Sequence, residues 1–263
     1  MLFSARTELI QALQLIVQAL DVQESGAQHS AALAAGLTAL NEARDFSMSA
    51  ARPGDAINVA AIASAHRTSL VRGVSSTTLS PVVAQQQYLG QAQSQLAVAA
   101  GGVPAASQIL YRLGRLQTAM AAHDADSLAL HGPQSIVFHQ AALATDGANW
   151  LAANELGVLY ARYGQLPEAR QLLVHSVTVH PHVEGWHNLA TVHRRLGETE
   201  LAQRAEGESQ LLAQQAGKSS ANSSEMVRWV DPKTFAASGG SDVRWPDNVA
   251  AKSVAASPAP VRR

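Results

Sequence analysis

The sequence predicts an all-α fold in which an array of helix–turn–helix repeats is followed by a disordered C-terminal tail. Residues 150–202 contain one pattern of small and apolar residues twice, and the two copies lie 33 positions apart. A period near 34 residues is typical of helical hairpins that stack side by side. Only 5% of the residues are aromatic, and long segments consist mainly of Ala, Gln, Leu and Ser. This composition favours closely packed helices over a β-sandwich.

The first 149 residues are predicted to be helical but less regular. Residues 6–21 carry Leu and Ile at helical spacing, which indicates an amphipathic helix. Gly101-Gly102 ends a long helix, and Pro104 suits the first turn of the next one. Further helices are expected at about 28–45, 56–64, 82–100, 104–121 and 134–145, with a loop over 67–81. We divide this part into an N-terminal helical region with loops, 1–80, and degenerate helical repeats, 81–149.

The two clear repeats lie in residues 150–217. Leu156-Gly157 in the first copy corresponds to Leu189-Ala190 in the second, where a small residue lets the two helices of a unit approach closely. Gly164 and Gly197 correspond at the point where the first helix ends, since glycine tolerates the left-handed conformation. A fainter third copy is suggested by the match of Gly101-x-x-Pro104-x-Ala106 to Gly164-x-x-Pro167-x-Ala169.

This pattern resembles the tetratricopeptide repeat (TPR) family. Trp186 stands where the family has its large aromatic residue, and Pro181 separates the two units. Two positions differ, because Ala153 takes the aromatic place in the first copy and His193 replaces a Tyr. The resemblance implies an α-solenoid in which the first helix of each unit lines a groove for a partner peptide or helix.

The residues predicted to bind the partner follow from this resemblance. Arginine suits a peptide backbone or a carboxylate because it offers a planar fork of donors. The lysine-based carboxylate clamp of some TPR proteins is not transferred, because this region contains no lysine. A solvated helix face is the alternative for each charged residue. The predicted partner-binding residues of the helices are Asn154, Arg162, His187, Asn188, Thr191, Arg194 and Arg195.

Residues 218–263 differ in composition from the rest of the chain. They contain all three lysines and are rich in Ser, Gly and Pro, which predicts disorder. A Val-Arg-Trp sequence followed by Asp and Pro occurs twice, around Trp229 and Trp245. We interpret it as a short linear motif that binds a partner or covers the last helix, with coincidence as the alternative.

Several classes of function are disfavoured. The net charge of −1 argues against nucleic acid as the main partner. The absence of cysteine excludes disulfides, thiol catalysis and Cys-ligated zinc. No apolar run approaches the ~20 residues that span a bilayer, and no signal peptide is evident, so a cytoplasmic location is expected. No catalytic constellation, cofactor motif or metal-ligand spacing is found, although five of the ten histidines lie between residues 175 and 193.

The sequence leads to three functional hypotheses. The first is a non-catalytic adaptor or scaffold that binds a partner peptide in a TPR groove. The second is a structural or accessory subunit of a cell-envelope or secretion assembly. The third is an enzyme whose site lies in residues 47–81, around His66-Arg67-Thr68-Ser69. The first hypothesis is preferred, and it implies that the protein is not an enzyme.

Overall fold

A computed structural model describes residues 2–47, 57–68, 70, 79–122 and 125–226 of the chain. These residues form ten α-helices and a short 3-10 helix, and no strand occurs among them. The α-helices are α1 Leu2–Gln23, α2 Gln28–Glu42, α3 Val59–Ala65, α4 Pro81–Ala100, α5 Pro104–Ala121, α6 Ala125–Thr145, α7 Trp150–Arg162, α8 Leu166–Val179, α9 Val183–Arg195 and α10 Thr199–Met226; the 3-10 helix spans Ala43–Phe46.

The all-helical prediction is confirmed for the described part of the chain, and most of the expected helices lie close to their predicted bounds. None of the described helices is both long and apolar enough to cross a membrane. One prediction is wrong, because residues 125–145 form one helix rather than a short helix starting near 134. Gly132-Pro133 ordinarily ends a helix, since proline lacks an N–H donor. Here α6 continues through Pro133 while the residues on both sides of it pack against α5.

The chain divides into two compact units, Met1–Gln214 and Gln215–Arg263. In the second unit, residues 215–226 are helical as the last part of α10. The first nine residues of the predicted disordered tail, 218–226, are therefore helical. Residues 227–263, which include Trp229 and Trp245, lie outside the described residues.

The first unit contains three successive helical hairpins. α5 packs on α6, α7 on α8, and α9 on α10, while α6 contacts α7 and α8 contacts α9. The remaining helices support the first hairpin, because α1 packs against α5, and α4 packs against both α2 and α6. One apolar core extends from Leu13 in α1 to Ala152 in α7, and a second joins α7, α8, α9 and α10.

The 33-residue repeat of the sequence is also a repeat of structure. Gly164 and Gly197 have φ angles of 81° and 78°, as predicted for glycines that end the first helix. The hydroxyl of Ser176 donates to the carbonyl of Trp150 at 2.7 Å, which fastens the end of α8 to the start of α7. Ser209 makes the equivalent bond to Val183 at 3.0 Å in the next hairpin. The hairpins α7–α8 and α9–α10 therefore follow the same plan.

A small residue marks the crossing point of the two helices in each hairpin. A Cβ atom on Gly157 would lie 2.7 Å from Cγ of Leu173, so only glycine fits there without displacement. A Cβ atom on Gly114 would lie 2.6 Å from the imidazole of His139. Gly114 of α5 is therefore equivalent to Gly157 of α7, although the two lie 43 rather than 33 positions apart. The match of Gly101-x-x-Pro104-x-Ala106 to Gly164-x-x-Pro167-x-Ala169 predicted that α5 corresponds to α8, a second helix. That prediction is wrong, because α5 is the first helix of a hairpin and packs on α6 as its second helix.

His139 is a polar residue at an apolar position. It is fully buried, and neither ring nitrogen has a hydrogen-bond partner in the described part of the chain. Burial, with a smaller contribution from the positive charge of Arg115, lowers the pKa of His139 to about 3. The ring of Tyr111 lies 5.8 Å away, centroid to centroid, and supplies no charge. The folded protein therefore holds His139 neutral across the physiological pH range.

The close approach at Gly157 predicts opposite effects for two glycine substitutions. Gly157→Ala forces Leu173 to move and should lower the free energy of unfolding by about 1–2 kcal/mol. Gly207→Ala is the matched control, since a Cβ atom on this helical glycine would meet nothing within 4 Å. It should raise stability by up to about 1 kcal/mol, because alanine is the better helix former. Urea denaturation measures both changes, and equal effects would contradict the assigned packing.

The burial of His139 predicts sensitivity to acid. In the unfolded chain His139 gains a proton as the pH falls through about 6.5, whereas the folded state resists protonation down to about 3. The unfolded state therefore binds more protons between these values, and stability decreases with falling pH by up to about 1.4 kcal/mol per unit. His139→Leu, which copies Leu173 of the next hairpin, should remove this contribution. Urea denaturation from pH 7 to pH 4 measures the difference, and parallel curves for both proteins would refute the assignment.

Candidate partner-binding site

A cavity of about 500 Å³ opens between the C-terminal ends of α5 and α7 and the first half of α6. Its walls combine apolar side chains with two guanidinium groups and three hydroxyl groups. The residues that determine its chemistry are Arg115, Thr118, Ser135, Leu159, Arg162 and Tyr163.

The hydroxyls of Thr118 and Ser135 are used to join α5 to α6. Their oxygen atoms lie 2.7 Å apart, and both lie within hydrogen-bond distance of the carbonyl of Gly114, at 3.2 and 3.0 Å. The two hydroxyl protons can serve two of these three contacts at a time. Ser135 is fully buried at the place where the next hairpin has Ala169. These hydroxyls therefore form the floor of the cavity and join α5 to α6 near Gly114, where the two helices cross.

The two arginines of the cavity differ in their partners. Arg115 forms an ion pair with Glu155 at 3.2 Å and donates to the hydroxyl of Tyr111 at 3.3 Å. Burial raises the pKa of Glu155, and the positive charges of Arg115 and Arg162 oppose this rise. Arg162 forms no hydrogen bond or ion pair with the described residues. The cavity therefore has one positive charge that no carboxylate of the described residues neutralises at contact distance.

Tyr163 ends α7 beside Arg162 and is half exposed at the edge of the cavity. Burial raises the pKa of its phenol, and the charge of Arg162 acts in the opposite direction. The phenol is therefore a neutral hydrogen-bond donor at physiological pH. The edge of the cavity presents two adjacent donors, the guanidinium of Arg162 and the hydroxyl of Tyr163.

In the next hairpin, the arginine at the equivalent position has a hydrogen-bond acceptor. Arg195 occupies the position equivalent to Arg162, 33 residues later, and also ends its helix. Its Nη1 donates to the main-chain carbonyl of Ala161 at 2.6 Å, which joins α9 to α7. Arg162 faces the cavity instead. The cavity lies at the junction where the 33-residue plan is interrupted by the longer α5–α6 hairpin.

The structure brings several of the predicted partner-binding residues of α7 and α9 together. Asn154 is 9% exposed, and its side-chain oxygen accepts a hydrogen bond from Asn188 at 3.0 Å, which joins α7 to α9. Thr191 is exposed on α9, where its hydroxyl donates to the carbonyl of His187 at 3.1 Å. Of the residues predicted on the helices, Arg162 alone belongs to the cavity lining described above.

His187 and Arg194 lie on the outward face of the last hairpin. Arg194 pairs with Glu206 of α10 at 3.2 Å, and His187 is 3.9 Å from the same carboxylate. In the preceding hairpin the equivalent residues are Asn154, Ala161 and Leu173, which contact α9. The face through which α7 and α8 contact α9 is thus replaced by a charged face on α9 and α10. The replacement is visible in the sequence when positions 33 apart are compared.

The clustered histidines contribute packing contacts. Trp150 stacks on His180 and contacts His182, with both ring centroids 4.4 Å from its own. His175 lies 2.7 Å from the carbonyl of Gly147 through its Nε2. Among the described residues, no group of three His, Asp or Glu side chains is placed to hold a metal ion.

Residues 66–68, which the enzyme hypothesis places in an active site, contact the end of α2 and the 3-10 helix. The main-chain N–H groups of Arg67 and Thr68 donate to the carboxylate of Glu42 at 2.6 and 3.2 Å. His66 contacts the carboxylate of Asp45 at 3.1 Å. These contacts anchor the segment, and Ser69 lies outside the described residues.

No known family model matches this chain, and no curated protein is similar to it.

The different environments of the two equivalent arginines predict different effects on stability. Arg195→Gln loses its hydrogen bond to Ala161 and should lower the free energy of unfolding by about 1 kcal/mol. Arg162→Gln removes no contact and should change stability by less than about 0.5 kcal/mol. Thermal and urea denaturation measure both variants. A loss of stability in Arg162→Gln as large as that in Arg195→Gln would show that Arg162 has a structural partner.

Proposed function

We propose that this protein is a non-catalytic adaptor of the TPR type that holds a segment of a partner protein in the cavity between α5, α6 and α7. The supporting observation is an open cavity of about 500 Å³ within a series of stacked hairpins. Its volume lies in the range of protein sites that enclose a ligand, and its mixture of apolar walls and few polar groups is typical of them.

The polar groups of the cavity support binding rather than chemistry. Arg115, Arg162 and Tyr163 donate hydrogen bonds, and Glu155, a carboxylate beside Arg115, is already paired with it. These donors suit the oxygen atoms of a bound polypeptide. A general base would have to accept a proton, and none of these three lining groups does so near neutral pH.

The TPR assignment is supported by the agreement between sequence and geometry in the last two hairpins. The glycines that end α7 and α9 have the same backbone conformation, and the serine-to-carbonyl bonds recur 33 residues apart. Stacked arrays of this kind offer extended surfaces to other chains, and their hairpins contact mainly their neighbours.

Blocking the cavity tests the proposed function. Ala119 is exposed and lines the cavity, so Ala119→Trp should fill it without changing charge. Ala35→Trp, at an exposed position of α2 away from the cavity, is the matched control. Affinity capture followed by quantitative mass spectrometry should show partners that are lost with Ala119→Trp and kept with Ala35→Trp. Identical sets of captured proteins from wild type and Ala119→Trp would reject the cavity as the binding site.

A further inference from the structure

We propose that the cavity selects an acidic segment of the partner, in which an apolar side chain enters the cavity and a neighbouring Asp or Glu side chain pairs with Arg162. This inference rests on the proposed function and specifies its ligand. It is based on the distribution of charge around the cavity, on the apolar character of its walls and on the free guanidinium at its edge.

Among the described residues that line the cavity and pair with its lining, positive charge exceeds negative charge. Arg115 is neutralised by Glu155, whereas Arg162 has no partner among the described residues. Arg112 precedes Arg115 by one helical turn on α5, is exposed and also forms no ion pair within the described part of the chain. Within the described part of the chain, Arg162 is therefore the guanidinium of the cavity lining that lacks an ion pair. Carboxylate side chains are the complementary groups, because the arginine fork matches their two oxygens.

The apolar walls of the cavity determine which kind of residue lies next to the carboxylate in the bound segment. Leu159 and Ala119 contribute apolar surface to the cavity, while Arg162 and Tyr163 stand at its exposed edge. A bound chain can therefore bury an apolar side chain inside and keep a carboxylate at the edge.

The equivalent arginine supports an oxygen ligand. Arg195 donates to a main-chain carbonyl at 2.6 Å, so an arginine at this position of the hairpin is oriented toward the neighbouring first helix. At the α5–α7 junction that direction leads into the cavity. An oxygen atom of the partner would occupy the place that the carbonyl of Ala161 occupies in the next junction.

An array of random peptides of about twelve residues, blocked at both ends, provides the probe. Peptides that bind the wild-type protein should be enriched in Asp or Glu next to an apolar residue. Their affinity should fall about tenfold or more with Arg162→Gln, as expected for the loss of one charge-assisted hydrogen bond. It should also fall with added salt. Arg204→Gln is the matched control, because Arg204 is exposed on α10 and forms no ion pair with the described residues.

The remaining outcomes separate this inference from the proposed function. The inference would be overturned, and the adaptor function kept, if Ala119→Trp abolished peptide binding while the bound peptides were not enriched in acidic residues. Their affinity would then also be unchanged by Arg162→Gln. Binding that appears only when the C-terminus is unblocked would also overturn it, in favour of a terminal carboxylate. Both proposals would be rejected if the Ala119→Trp variant bound the same peptides as the wild-type protein, or if no peptide bound the wild-type protein.

Discussion

The fold depends on the close approach of paired helices at single glycine residues. Gly36, Gly114 and Gly157 each face a large side chain of the opposite helix, and a Cβ atom there would come within 2.6–3.0 Å of it. The three pairs, α2 with α4, α5 with α6 and α7 with α8, are also extensively packed. Because aromatic residues are few, close contact between backbones supplies packing that large side chains provide elsewhere. The approach of the helices in these three pairs is therefore set by a residue that has no side chain.

The residue opposite each crossing determines how its hairpin behaves. Leu173 opposite Gly157 gives an apolar contact, whereas His139 opposite Gly114 introduces an imidazole that cannot be charged without disrupting the core. Glu206, at the position equivalent to Leu173, pairs with Arg194. The equivalent position in the three hairpins therefore makes an apolar core contact at Leu173, an acid-sensitive contact at His139 and a solvent-exposed ion pair at Glu206.

The sequence predicted the last two hairpins well, because their period, their small residues and their helix-ending glycines all agree. It also placed α4 and α5 within about a residue of their bounds, since Gly101-Gly102 and Pro104 mark the boundary unambiguously. The α5–α6 hairpin was missed because its spacing from α7 differs and because Gly132-Pro133 resembles a helix end. The cavity depends on that hairpin, so only Arg162 of the predicted partner-binding residues was placed on it. The assignment of His187 and Arg194 to a groove followed from family resemblance, which does not distinguish an inner repeat from the last one.

The charged end of the last hairpin has a consequence for how such a chain can change in length. A further hairpin placed against α9 and α10 would cover Arg194 and Glu206 and remove both charges from water, at a cost that their mutual attraction does not reliably offset. Tandem duplication at this boundary would therefore produce an unstable junction until both positions became apolar. The opposite requirement holds between α7 and α9, where apolar side chains are needed. A polar substitution at Ala161 or Leu173 would weaken the packing of the hairpin α7–α8 against α9–α10. The difference between these two boundaries thus lies in side-chain chemistry rather than in the helices themselves.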